Sequence, residues 1–219
     1  MSRIVIAGGH GQIARHLIRL LADRGDEAIG LIRNPDHGDE VARWGGQPRV
    51  LDLEQVGLDE VTPAVTGADA VVFAAGAGPG SGPARKDTVD RAASVLLADA
   101  AEQTHVRRFI QISAFGAGEE PDEQLDETWQ AYVRAKTAAE EDLRRRSGLD
   151  STILRPGRLI DDEPTGRVAL TEPPLERGNV TRADVAAVIV ALLDAPASVG
   201  KTLVLTSGDT TIADAVAAL

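Results

Sequence analysis

Cysteine is absent from this 219-residue chain, so neither a disulfide framework nor a thiolate-based metal site can be built. Aromatic residues are scarce: three phenylalanines, two tryptophans and a single tyrosine, Tyr132. Lysine is equally sparse, with three among 23 basic residues, and Lys136 stands one helical turn after Tyr132. No apolar run approaches membrane-spanning length, and no basic segment with an apolar stretch and cleavage site opens the chain. These absences predict a soluble, cytoplasmic protein with no membrane partner. Acids number 34 and the net charge is −11, which argues against nucleic acid, whose phosphates need a cationic face. The run Arg144-Arg145-Arg146 is read as complementing a helix C-terminus. The histidines at 10, 16, 37 and 105 show no ligand pairing with each other or with nearby acids, so no metal is expected.

What is present is a repeated alternation. With 43% hydrophobic residues the chain can bury one sizeable core, and a single domain over 1–219 is expected. RIVIAGG, DAVVFAAG, RRFIQISAFG, STILRPG and TLVLTSG are apolar on both faces and end in glycine or small-residue turns; EAIGLIR and PRVLDL sit among them. Such runs suit a buried parallel sheet. Helical stripes lie between them: Ile13, Leu17, Leu20, Leu21 and Arg24 in 12–24; Val89, Ala93, Leu96, Leu97 and Ala100 in 84–103; Val185, Val188, Ile189, Leu192 and Leu193 in 182–195. Thr181 with Asp184 is close to a capping box for the last of these. Strand–helix alternation predicts a doubly wound, Rossmann-type α/β fold with a three-layer αβα arrangement and a small C-terminal substrate region. The substrate-side elements are expected mainly in 114–127 and 157–181.

Gly8, Gly11 and Ala14 are spaced as G-x-x-G-x-x-A between the first strand and the first helix, within the segment Gly8-Gly9-His10-Gly11-Gln12-Ile13. A glycine turn there lets the backbone approach a pyrophosphate resting on the helix N-terminus, and His10 stands within reach of it. An NAD site wants a carboxylate about 20 residues further on. Here Leu31 and Ile32 occupy that place and Arg33 follows, so a 2′-phosphate, and hence NADP(H) over NAD(H), is the expected ligand.

At the residues GGHGQIA, LIRNP, VLDLE, FAAGAG, TVDRAASVLLADAA, RRFIQISAFGA, YVRAK, ILRPG and NVTRADVAAVI the chain resembles an atypical short-chain dehydrogenase/reductase. It is similar to the small bacterial NAD(P)-binding, epimerase/dehydratase-like subgroup, with NmrA-like relatives. The resemblance implies that Asp52 and Leu53 border the adenine, that Ala74, Ala75 and Gly76 pass beneath the ribose, and that Pro156 and Gly157 lie near the nicotinamide. It matches Ser113, Tyr132 and Lys136 to the family's serine, tyrosine and lysine, and puts Asp90 where most members carry an asparagine that holds a relay water. A carboxylate there can no longer donate; the plainer reading of Asp90 is a polar residue beside the buried stripe.

Tyr132, Lys136, Ala139 and Leu143 share one helix face that reads as sheet-facing. A buried lysine needs a partner, and ribose hydroxyls would serve. Its ammonium is then expected to lower the tyrosine pKa from about 10 toward working pH, as general acid–base chemistry requires. Ser113, at a strand end, is placed to donate to a substrate carbonyl; the competing readings are a loop-capping serine and a chance tyrosine–lysine spacing. AGEEPDEQLDE, residues 117–127, is read as a solvated loop or a lid repelling anions. The function expected is an NADP(H)-dependent reductase of a small carbonyl- or quinone-like compound, acting as monomer or homodimer. Its rivals are an NADP(H)-sensing regulator and a sugar-nucleotide epimerase/dehydratase, the latter disfavoured by the short stretch after ILRPG.

Overall fold

A computed structural model describes residues 1–78, 80–121 and 126–219. All seven apolar runs are strands: β1 (Arg3–Ala7), β2 (Glu27–Ile32), β3 (Gln47–Val50), β4 (Ala70–Phe73), β5 (Arg108–Ile112), β6 (Asp150–Pro156) and β10 (Thr202–Ser207). They pair in parallel, and β8 (Arg167–Thr171) and β11 (Thr210–Thr211) add an antiparallel edge. The order across the nine-stranded sheet is β3-β2-β1-β4-β5-β6-β10-β8-β11. A separate two-stranded parallel ribbon joins β7 (Arg158–Ile160) to β9 (Asn179–Thr181), and nothing in the apolar patterning announced it.

Side chains on the central strands alternate between two cores, as the pleat demands. Ile4, Ile6, Val72, Ile110 and Leu154 face α1 (Gln12–Arg24), α2 (Gly38–Arg43), α7 (Arg182–Leu193) and α8 (Ile212–Ala217). Val5, Val71, Phe73, Phe109 and Ile153 face α3 (Leu58–Val65), α5 (Ala93–Gln103) and α6 (Glu127–Arg145). The result is a three-layer, doubly wound Rossmann-like fold.

The helical stripes hold with two adjustments. Leu20 is 37% exposed and Arg24 is exposed too, and Ile18 joins the core instead, because the buried arc of α1 is centred on Ala14, Leu17, Ile18 and Leu21. Residues 84–103 do not form one regular helix: a short α4 (Pro83–Arg85) passes into a π-helical stretch, Lys86–Ala92, before α5 begins. One extra residue per turn rotates α5 relative to α4, and such turns recur at functional sites. Thr181 caps α7 as expected, its Oγ1 accepting from the Asp184 N–H at 2.9 Å. The acidic stretch 117–127 includes residues 122–125, which lie outside the described residues.

β1 has β2 on one side and β4 on the other. The chain leaves β1 in one direction and returns on the other, opening a crevice at the carboxyl ends of these strands. The glycine loop follows β1, and residues 74–78 follow β4, on the two sides of that crevice.

Candidate active site

A cavity of about 820 Å³ opens at the carboxyl edge of β1, β4, β5 and β6. Of the residues singled out from sequence, Ile13, Ala74, Ala75, Gly76, Asp90, Ser113, Tyr132, Lys136, Pro156 and Gly157 all line it. Gly8, Gly9, His10, Gly11, Gln12, Arg33, Asp52 and Leu53 are not in its wall; Gln12 opens α1 and the others lie in the loops after β1, β2 and β3.

The glycine loop is held by its own backbone. Gly9 N–H donates to Leu31 O and Gly11 N–H to Gly8 O, at 2.9 and 2.8 Å. Gly8 has φ of 78°, and a Cβ there would meet Ala75 Cα at 2.7 Å; one on Gly9 would meet Gly30 Cα at 2.4 Å. These two glycines are packing requirements. Gly11 differs: its φ of −67° suits any residue, and a Cβ would meet only Gly8 O closely, at 3.0 Å. Gly11 offers α1 no side-chain cap and the first turn holds no acid, so the leading amides of α1 face the crevice edge as donors to an anion.

His10 is engaged elsewhere. Its ring stacks on His37 with centroids 3.6 Å apart, and its Nε2 lies 3.0 Å from Glu40 Oε2. Arg33 is exposed, with Nη1 3.7 Å from Glu54 Oε2; Glu54 is also gripped by Arg85 and accepts from Thr88 Oγ1 at 2.7 Å. The Arg85 guanidinium holds the Glu54 carboxyl below the usual carboxylate range.

Lys136, 3% exposed, has an internal partner where ribose hydroxyls alone were expected to serve. Its Nζ donates to Ile112 O at 3.1 Å and lies 3.1 Å from Asp90 Oδ1. Asp90 is fully buried, and its Oδ2 accepts from Ala77 N–H at 3.2 Å. Oδ1 makes no hydrogen bond of good geometry among the described residues, so its contact with Lys136 is ionic. The same ammonium stands 5.8 Å from the centre of the Tyr132 ring.

Burial overturns the expected fall in the tyrosine pKa. Burial pushes the Tyr132 phenol above its ordinary value; Lys136 pulls it down, and the Asp90 carboxylate pushes it up again. The Asp90 carboxylate offsets part of what the ammonium does to the ring. Ser113, by contrast, is available: its buried Oγ has no hydrogen-bond partner among the described residues, while its N–H donates to Leu154 O at 2.7 Å.

The model of a family described as NAD(P)H-binding matches residues 8–196. The chain belongs to that family. A Bacillus subtilis protein called an uncharacterized sugar epimerase is 33% identical over 215 residues, spanning 98% of each chain. The structure of a putative NAD-dependent epimerase/dehydratase from Bacillus halodurans superposes with a TM-score of 0.91 at 34% identity, covering 100% of both chains. ChuY from Escherichia coli, described as an anaerobillin reductase, superposes with a TM-score of 0.80 at 27% identity over 96% of this chain and 99% of its own.

The residues fit the nicotinamide dinucleotide of this NAD(P)H-binding family. Uncapped α1 amides after Gly11, a lysine with one donor to spare and an orphaned serine hydroxyl are the donors that such a ligand can use. Gly11→Val is expected to weaken NAD(P)H binding by roughly a hundredfold while the far-ultraviolet circular dichroism and thermal midpoint stay near wild type. Unchanged affinity by fluorescence titration would put the phosphates elsewhere.

Sequence reasoning missed Lys86, Phe115, Trp129, Arg158 and Arg177, all in the cavity wall. Lys86 was the findable one: it is among three lysines and lies one turn before Asp90.

Proposed function

We propose that this protein is an NADPH-dependent reductase of a small carbonyl- or quinone-like compound. The observation that carries the reading is the set of three groups on one cavity wall: the Tyr132 phenol, the Lys136 ammonium and the partnerless Ser113 hydroxyl. The bound dinucleotide supplies the hydride. Ser113 Oγ–H donates to the substrate oxygen and orients it; Tyr132 Oη gives that oxygen its proton. Lys136, fixed by Asp90 and Ile112 O, keeps one N–H for the ribose. Ile13, Ile112 and Phe115 give the reacting atoms an apolar surround. Burial, which holds the phenolic proton in place, suits the reductive direction, where the tyrosine must arrive protonated.

The test is NADPH oxidation by the purified chain against a panel of aldehydes, ketones, quinones and flavins. Oxidation of none of them, with NADPH bound tightly, would sink the reductase and favour a cofactor-sensing role.

Arg33 supports the choice of NADPH. Its contact with Glu54 is long and exposed, so a 2′-phosphate can displace it at little cost. Arg33→Ala is expected to reduce the preference for NADPH over NADH by roughly ten- to a hundredfold, as befits one charge-assisted contact. Equal affinity of the unmodified protein for the two cofactors would refute the assignment.

A further inference from the structure

We propose that the compound accepted beside Tyr132 is an organic anion: an apolar, ring-bearing molecule whose acid group is held by Arg158 and Arg177, with Lys86 deeper in the same cavity. This rests on the reading of the cavity as a substrate site.

The charges in the wall do not cancel. Lys136 and Asp90 neutralise each other. Asp126 is committed to capping α6, its Oδ1 accepting from Trp129 N–H at 3.0 Å. The remaining cations, Lys86, Arg158 and Arg177, outnumber the Asp126 carboxylate three to one. Lys86 is only 8% exposed and has no carboxylate partner among the described residues; its Nζ donates to Gly78 O at 2.9 Å and sits 5.3 Å from the centre of the Tyr132 ring. A buried ammonium with two unspent donors is costly unless something anionic or polar meets it. The Arg158 and Arg177 side chains form no ion pair and no hydrogen bond among the described residues, in a chain where acids outnumber bases 34 to 23 and half of the arginines are in ion pairs.

Their positions are built by the fold. Arg158 opens β7, whose partner β9 follows Gly178, and Arg158 N–H donates to Gly178 O at 2.9 Å. Arg177 therefore stands beside it and reaches across to Phe115, its guanidinium 5.5 Å from the ring centre, on the loop that carries Ser113. A guanidinium lying on an aromatic face is oriented by it and keeps its N–H fork for a planar acid. The remainder of the wall, with Phe115, Trp129 and Leu159, suits an apolar ring. Two free guanidinium groups at the mouth would draw an anion to a protein whose overall charge repels it.

The probes are anilinonaphthalene sulfonate and its uncharged analogue N-phenyl-1-naphthylamine, with saturating NADP and without it. Trp44→Phe leaves Trp129 as the sole tryptophan, so quenching of its emission reports occupancy of this cavity. The sulfonate is expected to bind roughly tenfold or more tightly than the neutral dye and to quench Trp129. Arg158→Gln with Arg177→Gln is expected to remove that preference and leave the neutral dye within about twofold. Lys86→Gln is expected to act in the same direction. Equal binding of the two dyes, parallel loss of both in the arginine variant, or sulfonate binding without quenching of Trp129 would each overturn the proposal. NADPH affinity is measured on the same variants: its absence sinks the dinucleotide reading, whereas equal dye binding with NADPH affinity intact sinks the anion alone.

Discussion

Tyr132→Phe is expected to lower NADPH-dependent reduction by about 10²–10⁴-fold while NADPH affinity stays within about twofold. The ring keeps its packing against Trp129, with centroids 5.3 Å apart, so only the hydroxyl is lost. A binding-only role for the tyrosine would give the opposite pattern, a raised KM at constant kcat. The pH dependence carries the same argument. Because burial sets the phenol above its ordinary value, its proton stays on through neutral pH and is lost only as pH rises through the raised pKa. Reduction is therefore expected to be flat across neutral pH and to fall on the alkaline side.

The sole tyrosine makes this directly visible, since tyrosinate absorbance has no competing phenol. Asp90→Asn removes one charge that raises the pKa and leaves Lys136 unneutralised, so the phenol should titrate lower. Lys136→Met should move it higher. A phenol titrating at the ordinary value of about 10 and indifferent to both changes would break the link between the ion pair and the proton donor.

The strands were legible because each signal was local: a run apolar on both faces, closed by glycine, has few alternatives to a buried parallel strand. The glycine loop and the Tyr132–Lys136 face were legible for the same reason, since spacing along one helix determines which side chains are neighbours. What spacing cannot carry is charge compensation between elements. Burial of the Tyr132 phenol reversed the direction of its shift, and Asp90, on a different helix from Lys136, adds to it. Lys86 enters the cavity through a π-helical turn that the regular stripe of 84–103 concealed. Arg158 and Arg177 come together only through the β7–β9 ribbon, two three-residue strands too short to show a pattern. His10, in the phosphate loop by sequence, is claimed by His37 and Glu40.

Glu140→Ala is expected to destabilise the protein by about 3–5 kcal/mol, lowering the thermal midpoint by roughly 10 °C. In AAEED it reads as one more surface acid, yet it is fully buried. Its Oε1 accepts from Arg155 Nε at 2.9 Å and its Oε2 from Arg155 Nη2 at 2.5 Å, a bidentate pair between α6 and β6. Arg144 Nη2 adds a third contact at 2.6 Å and reaches Thr202 Oγ1 at 3.1 Å, bringing in β10. Removing the carboxylate strands the Arg155 guanidinium, 9% exposed, without its counter-charge, and that uncompensated burial is the main cost. Glu140→Leu combined with Arg155→Met is therefore expected to be less destabilised than Glu140→Ala alone, because neither charge is left buried. Urea unfolding of the variants decides it: a loss below about 1 kcal/mol for Glu140→Ala would mean that Arg144 or water supports Arg155 unaided. Activity should fall with stability, since this pair fixes the helix bearing Tyr132 and Lys136 against the strand that ends at Pro156, where the proton donor and the far wall of the cavity must keep their distance.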